Sequence, residues 1–405
     1  MGARHHAQPA VERCSPNTGP RSVRHYALRY ANTPKERHSV SDLTTRQWSV
    51  QQWLASKVAC DNLLACSNAD RLFLSWEWLT QWWHYYGNSR LLAPAILAFY
   101  RGDELVGLAP LYQQHVVRAG FMRSRSVQMM GHSWRDPGPL ISEYLDVIAY
   151  PQEVDAVRSE CLRVLLDHPE WTEFVIGLTP TAARWRDAFT HLAPSGSHYA
   201  RELDRSISYQ ADLTQGFAAY LKELGQSTRR SVWNLRRRLL EEHGEVQLEL
   251  LSPEQIDSGF SDLNRLHQLR WNSAAFSGER LEFHRSFAAR LAARGEFAFT
   301  RLRVAGKVVS VLYDIRKGTR QYNMKMAFDP DFSSRLSLGL VHFGYAMEEA
   351  VEHGVILYDF LAGPGRAFDF KRNLAQIRRD LSCVQLLRGE WLPALYRWRD
   401  RVRSM

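Results

Sequence analysis

The stretch that decides the fold covers residues 321–363 and reads QYNMKMAFDPDFSSRLSLGLVHFGYAMEEAVEHGVILYDFLAG. The pattern predicts an apolar strand, a loop of small residues, a helix from Leu338 and a second, buried strand. Gly354 closes the helix, because glycine readily adopts the backbone conformation that ends one. The second strand carries an acid, Asp359, between two aromatic residues. A buried strand normally has an aliphatic residue there, so the acid needs an explanation.

The loop before this helix has the composition of an anion-binding site. Backbone N–H groups in the first turn of a helix are unpaired, and the helix dipole is positive at that end, so a pyrophosphate would be stabilised there. An ordinary serine-rich helix cap has the same pattern, and the sequence leaves both interpretations open. The residues that would form the anion site are Ser334, Arg335, Ser337, Leu338 and Gly339.

The composition is that of a globular protein with an affinity for anions. The chain has 405 residues, of which 45% are hydrophobic and 23% charged, and it is long enough for two domains. Its formal net charge is +9. Such a surface attracts phosphorylated cofactors, nucleic acid and acidic lipid, and the charge alone does not choose between them.

Several classes of protein are disfavoured by motifs that the chain lacks. The five cysteines are scattered without a Cys-x-x-Cys pair, so we expect no metal site and a reducing, cytoplasmic environment. The most apolar run, residues 91–100, is half the length that spans a bilayer. No Gly-x-Ser-x-Gly, His-Glu-x-x-His or Walker motif occurs, which argues against the corresponding hydrolases and nucleotide-binding proteins.

Two similar series of elements follow each other along the chain. The hairpin pattern at residues 98–112 matches the one at 300–315, and each is followed by a strand, a long helix and a buried strand. Repetition of one unit predicts an α/β protein of two tandem domains, each a mixed, twisted sheet flanked by helices. The predicted segments are a disordered basic leader (1–38), a first domain (39–200), a second domain (201–390) and a basic C-terminal tail (391–405).

The order of the motifs resembles a known family. The motifs are the Trp-rich helix at 73–87, the basic helix RRSVWNLRRR at 229–238, LRW at 269–271, the Ser/Gly loop and helix, and YDFLAGP with FDFK at 358–371. Their order resembles a bacterial branch of the GNAT acyltransferase superfamily with two tandem GNAT-like domains. That branch is often associated with cellulose or other exopolysaccharide biosynthesis and is related to the Fem-type aminoacyl transferases. Leu338 stands where many relatives have proline.

The resemblance implies an acyl-CoA-dependent N-acyltransferase, with a degenerate first domain and the active site in the second. Acetyl-CoA or another acyl-CoA would be the co-substrate, and its arm would lie between two splayed parallel strands. Asp359 would accept the proton of the attacking amine, Lys371 would place a charge near the oxyanion, and Tyr322 would reprotonate the thiolate. A buried ion pair of Asp359 with Lys371 or an arginine, and a tyrosine that merely fills the core, are the structural alternatives.

The acceptor would be an amine of a small molecule or a polysaccharide precursor. Arg270 and Trp271, at the end of a helix, could clamp a sugar or a carboxylate, although an arginine stacked on a neighbouring ring is equally consistent with the sequence. Glu143 and Tyr144 are predicted to face the cleft between the domains.

Two other functions fit parts of the sequence. The basic helix at 229–238 suits a tRNA and hence a Fem-type aminoacyl-tRNA-dependent transferase. However, Arg237–Glu241 and Arg238–Glu242 have the i,i+4 spacing of ion pairs on a solvated face. The third candidate is a non-catalytic partner of a polysaccharide synthase. The basic segment 391–405 could touch an anionic membrane.

Overall fold

The computed structural model describes residues 42–87, 92–118, 120–134, 142–168, 170–193, 196–333, 336–363 and 369–404. The predicted leader, residues 1–38, lies outside the described residues. So do Ser334 and Arg335, two of the predicted anion-binding residues.

The strands of the described ranges form one mixed sheet, which runs in the order β1-β2-β3-β4-β6-β13-β7-β12-β11-β10-β9-β8, with β5 paired to β3. The strands are Thr44–Trp48 (β1), Ala93–Arg101 (β2), Glu104–Arg118 (β3), Met122–Met129 (β4), Ile148–Ala149 (β5), Glu173–Thr179 (β6), His198–Asp212 (β7), Val246–Leu250 (β8), Phe297–Val304 (β9), Lys307–Lys317 (β10), Arg320–Phe328 (β11), Leu357–Asp359 (β12) and Ile377–Arg388 (β13).

Helices flank this sheet, as the sequence predicts for an α/β protein. They are Val50–Ala55 (α1), Lys57–Ala65 (α2), Trp76–Trp82 (α3), Val154–Asp167 (α4), Ala182–Leu192 (α5), Phe217–Glu223 (α6), Gln226–Arg229 (α7), Leu235–His243 (α8), Ile256–Trp271 (α9), Gly278–Ala292 (α10), Leu338–Glu352 (α11), Asp369–Leu374 (α12) and Trp391–Ser404 (α13). Two π-helical turns, Trp83–Gly87 and Arg230–Asn234, extend α3 and join α7 to α8.

Both predicted hairpins are present. Strands β2 and β3 meet across a two-residue turn, where Arg101 pairs with Glu104. Strands β9 and β10 meet at Ala305 and Gly306, whose φ angles of 47° and 77° are both positive. Two positive φ angles are the geometry of the tight turn that matches the twist of paired strands.

The two series of elements exchange their long strands. Strand β13 comes late in the chain, yet it pairs with β6 of the first series, while β7 pairs with β12 of the second. β7 and β13 also pair with each other, so the sheet is continuous. The predicted domain boundary at residue 200 therefore falls inside β7. The halves share a hydrophobic core as well, in which the ring of Trp78 lies 5.0 Å from the rings of Phe283 and Phe287.

The basic helix packs on α11, and three of its arginines, Arg236, Arg237 and Arg238, have partners within the protein. Arg236 is buried, pairs with Glu348 and stacks on the ring of Tyr345. The i,i+4 ion pairs predicted for the solvated face are confirmed: Arg237 bonds Glu241 at 2.7 Å and Arg238 bonds Glu242 at 2.5 Å.

The predicted C-terminal segment forms helix α13, on which Trp391 and Trp398 are exposed to solvent. Among the helices that the structure describes, none has both the length and the apolar character that a bilayer crossing requires.

Candidate active site

Strands β11 and β12 part soon after they meet. They run parallel and pair at three positions, of which Tyr322 opposite Asp359 is the last. β11 then continues to Phe328, while β12 has already ended. The predicted pair of splayed strands is therefore present in the second half of the chain. Its second strand is much shorter than the apolar run VILYDFLAG, residues 355–363, from which a strand was predicted.

Three local features keep the strands apart. The register of β11 against β10 shifts so that Asp314 faces Asn323 while Tyr313 faces Lys325, which leaves one extra residue, Met324, on β11. Such a bulge bends a strand and increases its twist. On the other strand, Leu361 has a φ of 58°, which turns the chain away from β11.

Lys371 is the third feature. Its Nζ donates hydrogen bonds to the carbonyl oxygens of Phe360 at 2.6 Å and Leu361 at 3.0 Å, and lies 3.5 Å from that of Ala362. These carbonyls follow the end of β12, where backbone acceptors lose their ladder partners. The buried ammonium group therefore holds the chain in the turn.

The parting opens a cleft of about 730 Å³ between β11, the segment after β12, and helices α9 and α10. Apolar walls such as Phe73, Trp78 and Phe276 enclose it. Its charged lining residues are Glu143, Arg270, Arg280, Lys325 and Lys371. Within the described ranges, no three His, Cys, Asp or Glu side chains are grouped to hold a metal ion.

The corresponding gap in the first half is filled. Strands β4 and β6 also run parallel and pair at three positions. Beyond these, the ring of His132 packs on Gly177 so closely that a Cβ there would lie 2.4 Å from the ring. Further along β6, the backbone N–H of Leu145 donates a hydrogen bond to the carbonyl oxygen of Leu178 at 3.3 Å. The ring of His132 and the backbone of Leu145 thus lie against β6 beyond its pairing with β4.

Asp359 is fully buried, and the structure does not bring it to the cleft. Its carboxylate forms an ion pair with Arg320, the second of the two interpretations that the sequence left open. Several of its partners line a different cavity, of about 510 Å³, on the first-half side of the sheet. The other donors to the carboxylate are Tyr144 Oη at 2.7 Å, Ser208 Oγ at 2.9 Å, Gln210 Nε2 at 3.2 Å and the N–H of Leu361 at 2.7 Å.

Tyr322 lies in the same buried network. Its hydroxyl donates to Asp70 at 3.0 Å, and its ring meets that of Phe73 edge to face. Burial raises the pKa of this phenol well above its ordinary value, and the charge of Asp70 raises it further. Tyr322 is thus placed beside Asp359 and Arg320 in the second cavity, and not among the residues that line the cleft.

Glu143 and Lys371 do meet at the cleft, as neighbours from opposite halves of the chain. The carboxylate of Glu143 accepts the N–H of Ala362 at 3.0 and 2.9 Å. Burial raises the pKa of Glu143 to about 8, and the charge of Asp359 adds to the effect. Burial lowers the pKa of Lys371 to about 8, and the charge of Glu143 opposes that shift. The hydroxyl of Tyr144, the next residue in the sequence, instead forms hydrogen bonds with Ser208 and Asp359.

His267 lines the cleft and has the arrangement of a proton acceptor. Its Nδ1 lies 2.7 Å from the carbonyl oxygen of Ser273. A carbonyl can only accept, so Nδ1 carries the proton and the neutral ring keeps a lone pair on Nε2. Burial lowers the pKa of His267, the hydrogen bond to the carbonyl of Ser273 opposes that shift, and the charges of Lys325 and Arg270 lower the pKa further, and the net effect favours the neutral ring.

Arg270 and Trp271 line the same cleft from the end of α9. The guanidinium lies 4.9 Å from the ring centroid of Trp271 and 4.5 Å from that of Phe328. The stacked arrangement that the sequence left open is therefore present, and it stands at the edge of the cleft with Trp271 half exposed.

The described part of the loop and helix has mixed roles. Ser337 is exposed at the start of α11, where its carbonyl accepts the N–H of Val341 at 3.0 Å. Leu338 is buried in a core with Leu235. A Cβ on Gly339 would lie 3.0 Å from the sulfur of Met326, so the glycine lets α11 approach β11 closely.

Comparison with known proteins found a family model and solved structures that the chain resembles. Residues 226–372 match the family model of an acetyltransferase (GNAT) domain. The crystal structure of FemX matches the chain with a TM-score of 0.55 at 11% identity. The match covers 84% of this chain and 96% of the FemX chain. L-PGS from Bacillus licheniformis has a TM-score of 0.45 at 13% identity, with 84% of this chain and 95% of that chain covered.

A tandem GNAT protein from the clavulanic acid biosynthesis pathway has a TM-score of 0.46 at 10% identity. The match covers 86% of this chain and 99% of that chain. No curated protein matches the chain. The chain therefore contains a segment that matches the GNAT acetyltransferase domain, within a fold that it shares with FemX.

Proposed function

We propose that the chain is a GNAT-type acyltransferase that moves an acyl group from an acyl-CoA to an amine. The observation that supports this best is the open cleft at the parting of β11 and β12. One of its lining residues, Met326, lies against Gly339 at the start of α11. The segment that forms most of the cleft is also the one that matches the GNAT domain, residues 226–372.

The donor would lie along β11. Beyond Tyr322 the described strands include none that pairs with β11 on the side of β12, so its backbone can bond an amide-rich arm. The start of α11 would receive the diphosphate through its unpaired N–H groups. Gly339 supports this geometry because it brings the helix end against Met326 and Phe328.

The reaction needs a base for the attacking amine, and we assign that role to His267. The amine nitrogen attacks the thioester carbonyl, Nε2 of His267 takes the amine proton, the C–N bond forms and the C–S bond breaks. The imidazolium then returns the proton to the leaving thiolate, so no other proton source is required. Lys371 and Glu143, at the wall of the cleft, would set its local charge. Asp359 and Tyr322 would act by holding β11 and β12 in place.

Thiol release tests this proposal. Purified protein with acetyl-CoA and a panel of amines should release free CoA, and His267→Gln should lower the rate while the exposed His353→Gln does not. Silence of the folded protein across acyl chains from acetyl to palmitoyl, with no binding of any of these thioesters, would overturn the proposal.

An aminoacyl-tRNA is the second candidate donor, and the net charge of +9 favours it. A complex with tRNA that weakens steeply with salt, together with transfer of the aminoacyl group, would replace acyl-CoA in the proposal. The acceptor is proposed to be a small molecule or a polysaccharide precursor, and the setting to be cytoplasmic exopolysaccharide synthesis.

A further inference from the structure

We infer that the acceptor amine carries an anionic oxygen group, a phosphate or a carboxylate, which Lys325 and Arg280 bind on the α10 side of the cleft. This inference rests on the proposed function and names the substrate class of the same site.

The bulge in β11 directs Lys325 to this side. Paired residues of neighbouring strands point to the same face of a sheet. Lys325 pairs with Tyr313, whose ring packs on Phe260 and Phe276 beneath α9 and α10. In a regular strand the residue after Asn323 would take that position, and it is Met324. The extra residue therefore puts an ammonium group where a thioether would otherwise stand.

Lys325 lacks a counter-ion within the described ranges, since no ion pair involves it there. Arg280, from the first turn of α10, adds a second positive charge close enough to lower the pKa of the ammonium further than burial alone. The acid in the cleft lining, Glu143, already accepts the N–H of Ala362. Keeping a half-buried cation without a partner is unfavourable, and an anionic ligand would offset that cost.

His284 gives independent evidence for a ligand at this place. It lines the cleft, is 1% exposed, and packs on the ring of Phe276 at 4.1 Å. Its Nδ1 lies 3.3 Å from the hydroxyl of Tyr313. Its Nε2 is buried without a hydrogen-bond partner among the described residues. Buried polar atoms are nearly always satisfied, so an unpaired one in a cleft wall points to a group that arrives with the ligand.

This anion position differs from the one proposed for the donor diphosphate. Arg270 stacks on Phe328, the residue that also lies against Gly339 at the start of α11. Lys325 comes three residues earlier in β11, towards the parting from β12. Of the four cations that line the cleft, Arg270 stands at the donor end and Lys325 and Arg280 on the α10 side, while Lys371 bonds the turn after β12.

Calorimetric titration of the full chain with three amines tests the inference without turnover. Phosphoethanolamine, β-alanine and ethanolamine share an amine but differ in the anion. At least one of the first two should bind at least tenfold more tightly than ethanolamine, and which one does so distinguishes phosphate from carboxylate. The binding should persist at saturating CoA.

Lys325→Gln should weaken that binding at least tenfold, while Lys307→Gln, an exposed lysine of the β9–β10 turn, should leave it unchanged. If Lys325→Gln does not fold, Arg280→Gln makes the same test. Equal binding of all three amines, no effect of the cleft variants, or full competition by CoA would overturn the inference. Anion binding without thiol release would overturn the proposed function alone, and thiol release without anion preference would overturn this inference alone.

Discussion

The guanidinium of Arg320, in the first paired position of β11 and β12, forms an ion pair with the carboxylate of Asp359, in the last one. The same guanidinium donates to Asp70 at 3.2 Å and lies 4.7 Å from the ring centroids of Tyr144 and Tyr322. Asp70 and Tyr144 belong to the first half of the chain, and the other three to the second. One partly buried cation therefore joins the two halves beside the point where the cleft opens.

Replacing Asp359 by Asn should destabilise the protein. The change leaves the Arg320 guanidinium with Asp70 as its remaining carboxylate, and breaking a buried ion pair costs about 3 kcal/mol or more. Urea unfolding measures the loss. Asp380→Asn removes the partner of Arg378 on the surface, where both side chains are exposed, and should change stability by less than about 0.5 kcal/mol. An Asp359→Asn protein of unchanged stability that lost turnover would show instead that Asp359 is catalytic.

Replacing His267 by Gln should lower turnover about 10²- to 10⁴-fold, the usual worth of a general base. Because the pKa of His267 lies below its ordinary value, the wild-type rate should fall in acid as the ring becomes protonated, below the pH at which a free histidine titrates. The acid limb of kcat/KM against pH should disappear in the variant. If the acid limb is unchanged in the variant, another group must cause it. The control is His353→Gln, which should keep both the wild-type rate and the acid limb.

Gly344 is required by a backbone contact. A Cβ there would lie 2.3 Å from the carbonyl oxygen of Val232, in the π-helical turn that packs on α11. Gly344→Ala should therefore cost about 1–3 kcal/mol, as overpacking does. Gly225→Ala, which adds a Cβ that meets nothing within 4 Å, should be nearly neutral. Equal melting temperatures of the two variants would contradict the packing of the basic helix on α11.

Stability should fall in mild acid because of buried neutral histidines. The ring of His342 lies 3.0 Å from Thr300 Oγ1 and 2.8 Å from Ser310 Oγ, and burial lowers its pKa to about 3. The unfolded chain takes up the proton near pH 6.5, so the contribution is complete above that pH and is lost as the pH falls towards 3.

The expected slope is about 1.4 kcal/mol per pH unit for each such histidine. Urea unfolding between pH 7.5 and pH 5 should therefore be less dependent on pH in His342→Gln than in the wild type. Identical slopes for the two proteins would refute the assignment. His353→Gln, at an exposed position, should keep the wild-type slope.

Local patterns predicted the elements that local physics determines. Helix α11 begins at Leu338, and Gly354 follows it with a φ of 79°. The hairpin turns and the i,i+4 arginine pairs were likewise readable, because hydrophobic period, glycine and charge spacing act within a few residues. The α/β class with a mixed sheet followed from these elements.

The rest depends on contacts between distant residues. The pairing of β7 and β13 across the two halves leaves no signal in the local sequence. The apolar and polar residues of either strand would fit a sheet in either half. The strand predicted at 355–363 is short because Leu361 turns and Lys371 bonds the carbonyls behind it, which periodicity does not reveal. The sequence drew attention to the acid in that strand, and its partner in the structure, Arg320, comes from another strand. His267 was visible beside Arg270 and Trp271, yet only the carbonyl of Ser273 identifies its tautomer.

The strand exchange also constrains how the protein is made. As the polypeptide leaves the ribosome, the first sheet lacks its inner neighbour until β13 has been synthesised, long after β6. Until then the edge of β6 is open to pairing with other nascent chains, a route to aggregation. Splitting the gene between the halves should therefore yield two insoluble fragments rather than two working modules.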